Sequence, residues 1–171
     1  MKVVITKNDI VNLSKFMLIH SKKAIKMRMI SFYAIAAEFI LLGLFLDWLF
    51  KKAPIISGIS VILAGAWVWF FPKFYNKMVE KNIAKTQNLN ITSAELNLLF
   101  DDEKLSFSPD LTPKASETFY LNTLKRIVCT DENYFLAFLD SHIVLPKNEE
   151  IAAVAENLSK KQNITIENLQ I

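Results

Sequence analysis

The sequence predicts an α+β membrane protein. A two-helix transmembrane hairpin is preceded by an N-terminal amphipathic helix and followed by a small C-terminal antiparallel β-barrel-like domain that an α-helix closes. Three observations carry this reading. Two apolar blocks, residues 29–50 and 55–71, are separated only by Lys51, Lys52, Ala53 and Pro54, and about 20 apolar residues suffice to cross a hydrocarbon core of about 30 Å. Charge is divided along the chain: residues 1–87 carry 13 Lys and Arg against 4 Asp and Glu, whereas residues 88–171 carry 7 against 13. Hydrophobic periodicity then turns from helical to alternating after Asn88. The expected parts are residues 1–28, 29–87 and 88–171.

Taking the elements in order, residues 2–6 are β-branched and strand-like, and Thr6 followed by Asp9 has the spacing of a capping box that opens a helix. Ile10, Leu13, Phe16, Met17, His20, Ala24 and Met27 recur at three- and four-residue steps, with Lys15, Lys22 and Lys26 largely opposite. Two placements fit such an amphipathic helix: on the inner leaflet with lysine stems reaching the headgroups, or packed on the soluble domain. The 29–50 block is too long for a signal-peptide core and the residues before it too hydrophilic, so it is expected to stay as an anchor.

Basic residues set the orientation. Lys22, Lys23, Lys26 and Arg28 precede the first span, and Lys73, Lys77, Lys81 and Lys85 follow the second at four-residue spacing, whereas the connecting loop holds only Lys51 and Lys52. Positive charge is retained inside, so both termini are expected in the cytoplasm of a protein of the cell inner membrane. Trp48, Trp67, Trp69 and Tyr75 fit interfacial aromatic belts. The stripe formed by Lys73, Lys77, Lys81 and Lys85 continues the second helix beyond the span, and either contacts anionic lipid headgroups or serves only to set topology. Because these cations flank the spans, a pI near 8.9 does not argue for nucleic acid.

In the last part, Leu96, Leu98 and Phe100 alternate with polar residues, Asp101, Asp102 and Glu103 make a turn, and Leu105 and Phe107 alternate again. A loop at 109–116 is followed by strands near 117–122, 124–130, 134–140 and 142–145. Asn148 then caps a helix with Glu149 and Glu150 in its first turn and Ile151, Val154, Ala155 and Leu158 on one face. The short β-rich segments at 3–6 and 164–166 are further candidates to complete the sheet.

This order of elements resembles the YcxB-like family of bacterial membrane proteins. The residues that carry the resemblance are Ile5, Thr6, Lys7, Asn8 and Asp9, then Phe16, His20 and Ser21, the run from Phe119 through Leu121, Leu124 and Arg126 to Ile127, then Tyr134 to Phe138 and Ile143 to Lys147. The family opens its Leu-x-x-Leu segment with an aromatic residue, often Trp, where this chain has Tyr120 or Leu121. The resemblance implies a pleckstrin-homology-like (PH-like) fold for residues 88–171 and no assigned biochemical activity. Domains of that fold often bind phosphoinositides through a basic loop. Here Lys104 and Lys114 stand against Glu95, Asp101, Asp102, Glu103 and Asp110, a balance that repels polyphosphate headgroups.

Other chemistry finds little support. Gly43, Gly58 and Gly65, the three glycines, all lie in the spans, so the soluble part lacks a glycine-rich phosphate loop. Asp140, Ser141 and His142 have the residue types of a hydrolase triad, but neighbours on a strand point to opposite faces. Cys129 stands alone in a strand and reads as a small buried hydrophobe, and neither a metal set nor a cofactor site is expected. The sequence therefore points to a non-enzymatic, membrane-anchored binding or scaffold module that recruits a protein partner through residues 88–171. The alternative is an oligomeric transport or proton-linked component built around Glu38, an acid near the middle of the first span. The expected surroundings of Glu38 are Ser60 and Trp67 of the second span or a second copy of the chain, with membrane lipids around them.

Overall fold

The computed structural model describes residues 1–51, 54–90, 93–109 and 117–170; Lys52 of the interhelical loop and positions 110–116 of the expected loop, with Asp110 and Lys114, lie outside these. The chain forms two compact units, one of residues 1–17 together with 85–171 and one of residues 18–84.

In the first unit, β1 (Lys2–Ile5), β2 (Ala94–Phe100), β3 (Lys104–Pro109) and β4 (Glu117–Tyr120) form one antiparallel sheet in sequence order. The expected hairpin is present: Leu98 faces Phe107 and Phe100 faces Leu105. The second sheet has the order β7 (His142–Pro146), β6 (Asn133–Phe138), β5 (Leu124–Cys129), β8 (Ile166–Asn168). The chain changes sheets at a 3-10 turn, Leu121–Thr123, which shortens the strand expected at 117–122. Leu121 is buried there, and the Thr123 hydroxyl donates to the Tyr120 carbonyl at 2.7 Å.

Two features depart from the expected antiparallel, barrel-like arrangement. The sheets remain two open four-stranded sheets. In addition, β8 pairs with β5 in parallel, Ile166 opposite Ile127. The reason is the connection between β7 and β8, which is α4 (Glu149–Gln162). A helical crossover returns the chain to the next strand in the same direction, as a tight turn does not. The expected cap of α4 is in place, with Asn148 Oδ1 accepting from the Ile151 N–H at 2.7 Å. Ile151, Ala155 and Leu158 enter the core, while Val154 is only partly covered. At the other end Asn163 takes a left-handed conformation, φ 52°, and ends the helix.

A third difference concerns the N-terminus. Strand β1 pairs with β2, and α1 (Lys7–Ile19) sends Phe16 into the core, where its ring stacks on Phe135 at 4.5 Å. Phe16 is 0% exposed. Residues 1–17 are therefore part of the β-unit, which sets its boundary inside the expected 1–28 segment. Helical periodicity defined the apolar face of α1, but a lipid surface and a protein core ask for the same face.

The second unit contains α2 (Lys22–Phe50) and, up to residue 84, α3 (Ile55–Gln87), two helices long and apolar enough to cross a membrane. Ser21 caps α2 by accepting from the Ala24 N–H at 3.1 Å. Helix α3 runs without a break through Pro72 and the four lysines, as expected of the basic continuation.

Ser14 Oγ lies 3.2 Å from Thr86 Oγ1, so the two segments of the β-unit meet where the chain leaves and re-enters it. A chain in which residues 1–17 are joined to 85–171 by a short Gly/Ser linker is expected to fold as a soluble unit with a cooperative melting transition. A fragment of 88–171 alone, lacking β1 and Phe16, is expected to aggregate or melt far lower, and Phe16→Ala in the joined chain to lose about 3–5 kcal/mol by chemical denaturation.

Candidate functional site

The β-unit holds an apolar cleft of about 410 Å³. Its floor and walls come from Ile5 of β1, Ile10 and Leu13 of α1, Phe107 and Phe119 of the first sheet, and Ile143 of β7. These side chains converge because β1 to β4 turn their alternate apolar residues inward, while α1 lays Ile10 and Leu13 beside them. Glu117, Ser141 and His142 place polar groups on the same lining. An apolar concavity with a few polar groups at its edge suits an apolar side chain from a partner. A second, larger cleft of about 790 Å³ lies between the β2–β3 turn and α4, with Phe100, Leu121 and Leu158 among its lining. Lys161 donates to Asp102 there at 2.7 Å, an ion pair that also holds the Asp102 carboxyl below its usual range.

The wall of the first cleft is held by a buried polar junction. Asp9 accepts from both the N–H and the hydroxyl of Thr6 at 2.7 Å, and its own N–H donates to Thr6 Oγ1 at 3.3 Å, which is the expected capping box. Its other oxygen accepts from the amide of Asn133, a residue 0% exposed. The Asn133 Oδ1 in turn accepts from Asn12 at 2.7 Å, and Asn8 and Asn12 both donate to Glu132. Lys147 donates to the Thr130 carbonyl at 2.9 Å. The turn at 131–133 between β5 and β6 is thus the receptor of α1. No pattern within either segment announces this, because the partners are 124 residues apart.

Among the other expected residues, Asp140, Ser141 and His142 do not converge: Asp140 is exposed in a turn and His142 opens β7 with its ring 5.9 Å from that of Phe16. Burial, and then the charge of Arg126, lower the pKa of His142. Cys129 is a buried free thiol within the core, as expected.

In the hairpin unit the expected group separates. Ser60 is buried where the helices pack closely: a Cβ on Gly43 would overlap Ser60 Oγ and Cβ and come within 2.9 Å of Ser57 Cα. Phe32 meets Phe71 at 5.4 Å, and Trp67 packs on Phe71 at 5.3 Å with its indole N–H buried and unpaired. Glu38 makes no hydrogen bond to Ser60 or Trp67 and is exposed. The packed face of α2 runs through Phe32, Phe39, Gly43 and Asp47, and at about 100° per residue Glu38 points away from it.

The acid that does join the helices is Asp47, a residue outside the expected set. Its carboxylate accepts from the Ile56 N–H at 3.1 Å and the Ser57 N–H at 2.8 Å. These are first-turn donors of α3, preceded by Pro54, which has no side-chain acceptor with which to cap them. A carboxylate shortly before a proline-opened helix was the available signal. Of the basic stripe, Lys73 lies over the Trp69 ring at 4.1 Å, a cation–π contact.

No model of a known protein family matches the chain, and neither does a curated protein or a solved structure.

Three outcomes follow from this geometry. Asn133→Ala strips Asp9 and Asn12 of a buried partner and is expected to cost about 1–3 kcal/mol of β-unit stability, measured by denaturant titration. Gly43→Ala forces the helices apart and is expected to cost about 1–3 kcal/mol, read as a lower thermal midpoint of the hairpin in detergent. As pH falls below about 6.5, unfolded chains take up a proton that folded His142 resists, so the stability due to this residue is complete above that pH and declines below it. His142→Gln is expected to flatten the melting midpoint between pH 7 and 5.

Proposed function

We propose that this protein is a membrane-anchored, non-enzymatic binding module. In this reading α2 and α3 cross the cell inner membrane with both termini in the cytoplasm, and the β-unit recruits a protein partner at the inner leaflet. The observation that carries it is the apolar cleft bounded by Ile10, Leu13, Phe119 and Ile143, joined in one chain to two bilayer-length apolar helices. The lysines at 73, 77, 81 and 85 support the orientation and a contact with anionic headgroups. The order of elements supports a place among YcxB-like proteins with a PH-like domain. The acidic β2–β3 turn, with Asp102 already paired to Lys161, favours a protein over a phosphoinositide as the ligand. Relative to the sequence reading, the partner site gains Ile5, Ile10 and Leu13 from the N-terminal segment.

A photoreactive residue placed at Glu117 or Ser141 in cells is expected to capture one and the same protein, and the same residue at Glu156 on α4 to capture none. Phe119→Asp is expected to reduce that capture at least tenfold with the chain still retained in carbonate-washed membranes. Equal capture from Glu156, or capture unaffected by Phe119→Asp, would show that the cleft is not the binding surface.

A further inference from the structure

Within the hairpin unit, the outward side of α2 is left bare by the described residues. Of its 29 residues only Gly43 and Asp47 are buried. Ala34, Glu38, Leu41 and Phe45 follow at steps of four, three and four, which puts them on one stripe, and all four are exposed. Helix α2 has two acids, and Asp47 is turned into the hairpin, so Glu38 is the one that stands outside it. In the membrane placement proposed above, on which this inference rests, Glu38 lies about 12 Å from the inner boundary at ~1.5 Å per residue. That depth is beyond the reach of a glutamate side chain towards water, and lipid tails offer no hydrogen-bonding partner.

We propose that a second copy of the chain covers this stripe, with the Glu38 carboxyl groups of the two copies hydrogen-bonded to each other across a two-fold axis along the membrane normal. A two-fold axis of this kind brings each residue to the same depth as its counterpart, so a second copy necessarily presents a carboxyl group opposite Glu38. Ala34, one turn earlier, permits the close approach of backbones that such a bond requires. Leu41 and Phe45 extend the contact towards the loop end of the helix. The contact uses the same patch on both partners, so it closes at a dimer.

The test uses the full chain in native membranes, with Cys129→Ser as background and single cysteines introduced as Ala34→Cys, Leu41→Cys or, off the stripe, Ile40→Cys. Oxidative crosslinking is expected to give a dimer from positions 34 and 41 and not from 40. In reconstituted bilayers, dimerisation followed by energy transfer on lipid dilution is expected to survive Glu38→Gln, whose amides still bond each other, and to weaken about tenfold in Glu38→Leu. Crosslinking without preference for 34 and 41, a crosslinked product with another protein in place of the dimer, or an unchanged dimer in Glu38→Leu overturns the proposal. Release of the chain by carbonate washing overturns the membrane placement itself, and is read separately from the crosslinks.

Discussion

The hydrogen bond between Asp9 and Asn133 joins the first turn of α1 to the turn between β5 and β6. Much else in the β-unit depends on that junction. It fixes α1 over the sheets, which lets Phe16 stack on Phe135 and brings Ile10 and Leu13 to the cleft. Each member is satisfied by another: Thr6 and Asn133 saturate the Asp9 carboxylate, and Asn12 answers the remaining oxygen of Asn133. A buried network of this kind specifies one arrangement, because an alternative docking of α1 leaves a carboxylate and an amide without partners.

The hairpin unit solves a comparable problem with a single residue. A helix opening after Pro54 exposes first-turn N–H groups, and in an apolar medium an unmet N–H is costly. Asp47 meets two of them from the preceding helix. Gly43, one turn earlier, lets the helix backbones come close enough for Ser60 and Ser57 to lie against it. Tight packing and satisfied helix ends therefore occur within the same stretch, next to the loop.

Local signals in the sequence were faithful wherever a residue's neighbours along the chain decide its state. The Thr6–Asp9 box, the Asn148 cap, the alternation of Leu98, Leu105 and Phe107 and the two long apolar runs all correspond to observed elements. What was not legible depends on distant partners. The face of α1 was clear, but not whether lipid or Phe135 covers it. The direction of β8 depends on the path of α4, not on the residues of β8 themselves. The orientation of Glu38 could not be read because α2 is apolar on nearly every side, and the contacts of Phe32, Gly43 and Asp47 reveal which side meets α3. Of the cleft, Phe107 and Phe119 were visible as strand residues; their meeting with Ile10 and Leu13 was not.

The division of the β-unit into 1–17 and 85–171 also sets an order of events during synthesis. Strand β1 and α1 leave the ribosome first, yet Asn133 and Phe135 follow more than a hundred residues later. At about 5–20 residues per second this is an interval of roughly 6–25 s. Through that interval Phe16 lacks Phe135 and Asp9 lacks the Asn133 amide, while both apolar helices emerge. The newborn chain thus carries an unfinished N-terminus past its own hairpin, and a truncation anywhere before β6 strands it permanently. Exposure of Phe16 therefore reports whether synthesis has passed β6.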